Sequence, residues 1–283
     1  MYRSASADLL LARTTPGGTE VVDYLEAIVG RAYVAIHTPK KLDWRAGPRW
    51  ALRGFPAAVR AHRRFVLAAA ACFLFGALIS FVLVLVDAEA FDYLVPSQVA
   101  SFYGERPDDY RGERFGELGS AAAAAFSSDL MVNNIRVTLL AFALGLTLGI
   151  GTLAVLFSNG VILGAIAANF LRWGLSVPFW ALILPHGVAE MFAMVLGGAG
   201  GFMLAEAVLR PGRQTRGEAL RSRGRDALRL AGMAVPLLIF AGVVEAYVTP
   251  LSWVSDAGKL AFAAVSALAI ALWLRVPPAE VRG

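Results

Sequence analysis

Residues 65–86 read FVLAAAACFLFGALISFVLVLV, a run without a single charged side chain. About 20 predominantly apolar residues are enough for a helix to cross the hydrocarbon core of a bilayer. The rest of the 283-residue chain has the same character, since 58% of its residues are hydrophobic and only 17% are charged. A soluble domain carries about 25% charged residues. The composition excludes a disordered chain, a coiled coil, a disulfide-stapled secreted module and an ordinary soluble enzyme. It indicates an all-α, polytopic membrane protein.

Five further apolar blocks follow the first one. They predict membrane spans at residues 137–157, 161–184, 187–209, 230–249 and 258–274, which makes six spans within a transmembrane domain of residues 65–275. The tripeptide Pro185-His186-Gly187 separates the third and fourth spans, and we predict that it forms the turn between them. The third span also contains Gly174 and Pro178, which predict a broken helix.

The distribution of charge orients these spans. Residues 1–64 hold 11 Lys and Arg, and residues 210–229 hold seven Arg. Residues 87–132 hold nine Asp and Glu but only three Arg. The positive-inside rule therefore places 1–64, 210–229 and the tail 276–283 in the cytoplasm, and the acidic segment 87–132 outside. This predicts a bacterial inner (cytoplasmic) membrane protein with both termini cytoplasmic. It argues against a nucleic-acid ligand, because the basic residues follow membrane topology.

The cytoplasmic N-terminal region is expected to contain two helices that do not span the membrane. Apolar residues recur at helical spacing over 19–36, which predicts an amphipathic helix. Residues 44–62 mix aromatic and basic side chains. That composition suits a helix on an anionic leaflet, and it suits equally a solvated basic flank that only sets topology.

Small residues form two stripes at a spacing of four. One consists of Ala141, Gly145 and Gly149, and the other of Gly160, Gly164 and Ala168. Small residues let membrane helices approach closely. We predict tight packing within one subunit, and the same stripes leave a homo-oligomer possible.

Polar side chains inside the spans are candidates for a functional site, because each charge costs about 2.5–3.5 kcal/mol to insert. Four segments bring such side chains to one layer near the predicted outer boundary of the bundle. They are Asn133, Asn134, Arg136, His186, Glu190 and Glu245. His186 and Glu190 share a helix face because they are four residues apart.

Three interpretations of this layer stay open. In the first, Asn134 and Arg136 pair with the two glutamates and lock the outer end of the bundle. In the second, the carboxylates and His186 form a transport or ion site. In the third, His186, Glu190 and Glu245 bind a metal ion, although a single histidine is a weak signal for zinc. We expect no cofactor.

A second candidate site lies deeper in the predicted third span. In a straight helix Arg172 would lie near the middle of the bilayer, about 16 Å from the inner end. Asn169 precedes it by almost one turn. A helix broken near Gly174 would let Arg172 face the interior of the bundle, as in many transporters.

The ordered motifs of this chain resemble those of the stage II sporulation protein M family. The motifs are Asn133-Asn134-Ile135-Arg136, Ser158-Asn159-Gly160, Pro185-His186-Gly187-x-x-Glu190 and Val244-Glu245-Ala246-Tyr247-Val248-Thr249-Pro250, with the cytoplasmic run Tyr24–Tyr33 before them. The resemblance covers residues 19 to 253. It implies a polytopic inner-membrane protein.

The resemblance also implies a role. The founding member of the family recruits peptidoglycan-degrading enzymes during engulfment, and many relatives are encoded beside AAA-type ATPases. We therefore expect a non-enzymatic scaffold or assembly factor of the cell envelope that contacts membrane lipid and such protein partners. A transporter or channel and an intramembrane metal-dependent hydrolase are the alternatives.

Overall fold

The structure is a computed structural model that describes residues 2–14, 19–37, 46–103, 120–249, 251 and 253–277. All regular secondary structure within these ranges is helical. The chain divides into two compact units, residues 1–47 and 48–283. Part of the predicted acidic segment, residues 104–119, lies outside the described residues, and so does the end of the predicted tail, residues 278–283.

The N-terminal unit is a pair of packed helices, α1 (Tyr2–Thr14) and α2 (Thr19–His37). Arg13 in the last turn of α1 forms an ion pair with Glu26 of α2. Helix α2 coincides with the amphipathic helix predicted over 19–36. Several large apolar side chains of this unit are exposed, as its small size dictates. They are Leu10, Leu11, Val21 and Tyr24.

The second unit is a bundle of long apolar helices. Short helical pieces lead into it: α3 (Ala46–Arg49), a π-helical turn (Trp50–Gly54) and α4 (Phe55–Ala61). Helices α5 (Arg63–Val86), α6 (Ala90–Leu94), α7 (Ser97–Tyr103) and α8 (Ser120–Ala143) follow. After a 3-10 turn (Leu144–Leu146) come α9 (Ile150–Arg172), α10 (Ser176–Leu209), α11 (Arg216–Gly232), α12 (Ala234–Tyr247) and α13 (Asp256–Trp273).

Five helical segments are long and apolar enough to cross a membrane: α5, α9, α10, α11 with α12, and α13. The part of α8 next to the 3-10 turn, Val132–Leu146, is a shorter apolar helix. The chain is therefore a polytopic all-α protein, as predicted. Residues at both ends of this unit meet, because Trp273 donates a hydrogen bond from Nε1 to the carbonyl of Ala51 (3.1 Å).

The helices break at one place that the sequence predicts, near Gly174, and at one that it does not, after Ala143. The predicted span 137–157 is interrupted after Ala143, where Leu148 (φ 57°) and Gly149 (φ 85°) adopt left-handed conformations. The predicted span 161–184 is interrupted at Gly174 (φ 76°). Glycine adopts these angles without a Cβ penalty, so the two glycines provide the turns.

The turn predicted at Pro185-His186-Gly187 is wrong. Helix α10 runs unbroken from Ser176 to Leu209, a length of about 51 Å, with Pro185 inside it. A proline is tolerated in such a helix because packed neighbours can satisfy the backbone groups it frees. Pro185 is fully buried here.

Helix α10 is the centre of the bundle. It contacts α5, α8, α9, α11, α12 and α13. Glu206 near its C-terminus pairs with Arg64 at the start of α5, so α10 runs antiparallel to α5. We call this end, where Arg64 and Arg223 lie, the arginine-rich end of the bundle.

Glycines bring the helix backbones into direct contact. A Cβ atom added to Gly160 of α9 would lie 2.0 Å from the carbonyl oxygen of Phe73 in α5, and one added to Gly164 would lie 2.0 Å from that of Ala77. A Cβ on Gly145 would lie 2.1 Å from the carbonyl oxygen of Gly201 in α10. The small-residue stripes thus serve packing within one subunit, as predicted.

The segment 46–61 packs part of its apolar surface against the bundle. Its Phe55 is fully buried and stacks on Trp273 of α13, with ring centroids 4.9 Å apart. Val59 is buried in the same apolar core. These apolar side chains therefore face the bundle, while Arg49, Arg53 and Arg60 are exposed; whether these arginines face a leaflet or solvent stays a prediction.

Candidate functional site

The predicted polar layer is centred on two buried side chains from different helices. His186 of α10 and Thr249, just after α12, are 7% and 5% exposed. His186 Nδ1 lies 3.2 Å from Thr249 Oγ1, within hydrogen-bond distance. The same hydroxyl lies 3.4 Å from the carbonyl oxygen of Val244, to which it can donate. Thr249 thus links the middle of α10 to the C-terminal end of α12.

Lys259 is a member of this site that the sequence analysis missed. It lies in the first turn of α13, and its Nζ donates a hydrogen bond to the carbonyl oxygen of Thr249 (2.8 Å). A cation satisfies a carbonyl left free at a helix C-terminus. In the sequence Lys259 lies at the start of an apolar span, where a lysine is usually interpreted as a charge that flanks the membrane.

The two predicted glutamates lie close together on neighbouring helices. Glu190 of α10 faces the side chain of Asn134 of α8, and it lies near Glu245 of α12. Glu245 is 7% exposed, and its Oε2 has no hydrogen-bond partner among the described residues. The site therefore holds a pair of carboxylates, one of which is incompletely satisfied.

Two of the predicted residues do not join this cluster. Asn133 and Arg136 are exposed, and Arg136 forms no ion pair with either glutamate. Residues two apart on a helix point about 200° apart, so Asn134 and Arg136 cannot face α10 together. In the first interpretation both Asn134 and Arg136 pair with the glutamates; in the structure Asn134 faces Glu190, whereas no ion pair of Arg136 occurs among the described residues.

His186 and Glu190 lie further from the start of α10 than a turn at 185–187 would place them, whereas Glu245 lies at the C-terminal end of α12, as predicted. With a turn at 185–187 the glutamates would lie about 5–6 Å below the outer boundary. Because α10 begins at Ser176, His186 is about 15 Å and Glu190 about 21 Å from its start.

The predicted mid-membrane site at Asn169 and Arg172 needs correction because of where α9 ends. Arg172 is the last residue of α9, it is exposed, and its Nη1 donates to the carbonyl oxygen of Val84 (3.0 Å) in the last turn of α5. Asn169 is buried and lies one turn earlier. Since α9 begins at Ile150, both residues lie at its C-terminal end rather than at its middle.

The cluster lacks the grouping of a metal centre. In the described ranges, no three His, Cys, Asp or Glu side chains are placed to hold a metal ion. His186 instead faces a hydroxyl, and Glu190 faces an amide. The side chains of the cluster can bind a proton or a small cation. They can also serve to hold three helices in register.

A second polar cluster lies at the arginine-rich end. Glu206 of α10 accepts hydrogen bonds at both carboxylate oxygens from Arg64 Nη2 (2.8 and 2.7 Å), and Arg223 Nη1 of α11 lies 3.7 Å away. Arg223 also donates to the backbone carbonyls of Glu206 (3.3 Å) and Arg210 (3.1 Å). Three helices are therefore joined by one carboxylate.

These features define a polytopic α-helical membrane protein with polar clusters at two levels of one bundle. The family model for stage II sporulation protein M matches residues 69–250, so the chain belongs to that family. A second family model, a domain of unknown function (DUF8413), matches residues 1–38. These residues include both helices of the N-terminal unit.

The chain is similar to the uncharacterized protein MJ0793 of the archaeon Methanocaldococcus jannaschii. The two are 28% identical over 123 residues, which cover 43% of this chain and 69% of that protein. No solved structure matches the chain.

Proposed function

We propose that this protein is a non-enzymatic scaffold or assembly factor for cell-envelope processes. We place it in the bacterial inner membrane with both termini in the cytoplasm. The observation that carries the proposal is the pairing of a closely packed bundle with a small N-terminal unit that exposes large apolar side chains.

The middle of the bundle supports a static role. Backbones touch where Gly145 meets Gly201 and where Gly160 meets Phe73. Thr152 is fully buried and its Oγ1 donates to the carbonyl oxygen of Ala141 (2.7 Å), which ties α9 to α8. Close-packed interiors deform little, so such a core holds its helices in fixed positions.

The N-terminal unit supports partner binding. Leu10 and Leu11 of α1 are 67% and 69% exposed, and Tyr24 of α2 is 65% exposed. Two short helices bury too little apolar surface to be stable alone, and exposed apolar groups mark protein interaction sites. If the unit is cytoplasmic, its partner is cytoplasmic too. An AAA-type ATPase fits that position, whereas a peptidoglycan enzyme would have to meet the external segment.

Two exposed tyrosines allow a matched test. Tyr24 lies on α2, and Tyr93, 87% exposed, lies on α6 beyond the far end of α5. A photo-crosslinking amino acid at each position, followed by gentle purification and mass spectrometry, identifies what each surface touches. We expect an ATPase-class protein at position 24 and an envelope enzyme at position 93. Purification of the protein alone from both variants would contradict the scaffold proposal.

The orientation is tested separately by cysteine labelling. Replacement of Cys72 by alanine gives a background without cysteine, because it is the single cysteine of the chain. A cysteine at Ser222 of α11 is expected to react only with a membrane-permeant reagent in intact cells. Labelling of that position by an impermeant reagent would invert the proposed topology.

A transporter or channel is the second candidate, and the buried carboxylate pair favours it. Glu190 and Glu245 lie on helices in contact, and ionisable groups inside a membrane bundle mark ion and proton pathways. Proteoliposomes loaded with a pH-sensitive dye test this. A proton flux that Glu245→Gln abolishes, while Arg136→Gln preserves it, would favour transport over a scaffold.

A further inference from the structure

The arginine-rich end of the bundle contains a cavity that none of the functions above uses. Its volume is about 270 Å³, and it lies between the start of α5, the end of α10 and the middle of α11. The lining residues are His62, Arg64, Phe65, Met203, Glu206, Arg210, Arg223 and Asp226. We propose that this cavity binds the phosphate group of an anionic phospholipid.

The charge of the cavity suits an anion. Three arginines line it against two carboxylates, and Asp226 is itself paired with the exposed Arg229 (3.7 Å). Glu206 is occupied by Arg64 and Arg223, so the carboxylates do not present free negative charge to the cavity. Basic cavities between helices at the cytoplasmic surface bind anionic lipid headgroups.

The guanidinium groups retain donors for a ligand. Among the described residues, Arg64 uses only Nη2 on Glu206, and Arg223 uses only Nη1 on its carbonyl and carboxylate acceptors. A guanidinium carries five N–H donors, so each group has hydrogens left. Arg210 makes no side-chain hydrogen bond or ion pair within the described part of the chain. Arginine is well suited to phosphate because its donors match two oxygens at once.

The walls of the cavity point to a lipid as the source of the phosphate. Phe65 and Met203 form its apolar side, and the guanidinium of Arg64 lies 4.6 Å from the ring centroid of Phe65. Next to the cavity, Leu67 of α5 and Leu209 of α10 are 66% and 57% exposed. A phospholipid whose headgroup lies in the cavity can therefore place its acyl chains on the apolar surface of α5. Free phosphate has no acyl chains and would gain nothing from that surface.

The test compares Arg210→Gln with Arg213→Gln in the full-length protein. Both replacements remove one positive charge from the same loop, but Arg213 does not line the cavity. Retention of phosphatidylglycerol and of phosphatidylcholine is measured by native mass spectrometry from nanodiscs that contain both lipids. We expect Arg210→Gln to weaken phosphatidylglycerol retention about fivefold, and Arg213→Gln to leave it unchanged.

A variant with the opposite sign provides an independent check. Asp226→Asn removes a negative charge from the cavity lining while its exposed pair with Arg229 contributes little to folding. It is expected to increase phosphatidylglycerol retention. Equal losses in Arg210→Gln and Arg213→Gln would show that only overall surface charge matters, and the proposal would be wrong. Displacement of the lipid by millimolar inorganic phosphate would make free phosphate the ligand and would also overturn it.

Discussion

His186 Nδ1 and Thr249 Oγ1 lie 3.2 Å apart in the interior of the bundle, 63 residues apart in the chain. The contact fixes the C-terminal end of α12 against the middle of α10. Through the backbone carbonyl of Thr249, which accepts a hydrogen bond from Lys259, the same residue also positions the start of α13. Three helices thus meet at one threonine.

The coupling between His186 and Thr249 can be measured directly. His186→Ala and Thr249→Val should each lower the free energy of unfolding, because each leaves a buried polar group without its partner. The double variant should lose about 1 kcal/mol less unfolding free energy than the losses of the two single variants added together. Unfolding in mixed detergent measures all four proteins. Strict additivity would mean that the contact is not made in solution.

Glu245→Gln should not lower the melting temperature in detergent. The Oε2 atom of Glu245 is buried without a hydrogen-bond partner among the described residues, and the carboxylate lies near Glu190. An amide has the same shape, carries no charge that must be buried, and costs no existing hydrogen bond of that atom. Asn134→Ala is the comparison, and it should lower the melting temperature because Glu190 loses its partner. A large loss in Glu245→Gln would reveal a structural partner for this carboxylate.

Gly160→Ala should destabilise the bundle by about 1–3 kcal/mol, because the new methyl group would overlap the carbonyl of Phe73. Gly217→Ala is the control, since nothing lies within 4 Å of the position its Cβ would take. Yield after detergent extraction and melting temperature check both variants. Similar behaviour of the two would contradict the close packing of α5 against α9.

Arg172→Ala should cost about 1 kcal/mol of stability and leave any transport activity intact. The reason is that Arg172 only donates to the carbonyl oxygen of Val84 at the end of α5. Arg136→Ala, at an exposed position, should change stability by less than about 0.5 kcal/mol. If Arg172→Ala folds normally but loses a measured flux, Arg172 belongs to a transport site after all, and the assignment from the helix boundaries is wrong.

Glu206→Gln should cost about 2 kcal/mol, because it weakens charge-assisted hydrogen bonds that join α5, α10 and α11. Asp226→Asn should cost less than about 0.5 kcal/mol, because its pair with Arg229 is exposed and within one helix. Thermal unfolding at low and high salt compares the two. A larger effect for Asp226 would be inconsistent with the geometry of this cluster.

The sequence predicted the class of fold well and the helix boundaries poorly. Apolar length alone identifies membrane helices, so the block at 65–86 is α5 almost to the residue. The boundaries failed because Pro185-His186-Gly187 reads as a turn locally, whereas burial in the bundle keeps it helical. The actual turns lie at left-handed glycines 149 and 174; the break near Gly174 was predicted, whereas Gly149 was interpreted as part of a packing stripe inside a continuous span.

The candidate site was predicted only in part, because the sequence gives the spacing along a helix but not the rotation of that helix against its neighbours. The spacing of four predicted that His186 and Glu190 share one face, and the predicted common depth of the helix ends predicted that Glu245 and Asn134 lie near them. The sequence could not distinguish Asn134 from Arg136, because only the rotation of α8 decides which of them faces α10. Lys259 was missed because its acceptor is a backbone carbonyl, which carries no sequence signal.

The central position of α10 has a consequence for biosynthesis. Every other long helix of the bundle contacts it, yet α5, α8 and α9 precede it in the chain. A nascent chain that has not reached residue 209 can therefore form the glycine-lined pair of α5 and α9, but the surfaces that face α10 have no neighbour yet. The last two segments pack against α10 after it has been inserted. Insertion of α10, the third of the five long apolar segments, thus completes the contacts of the helices that precede it.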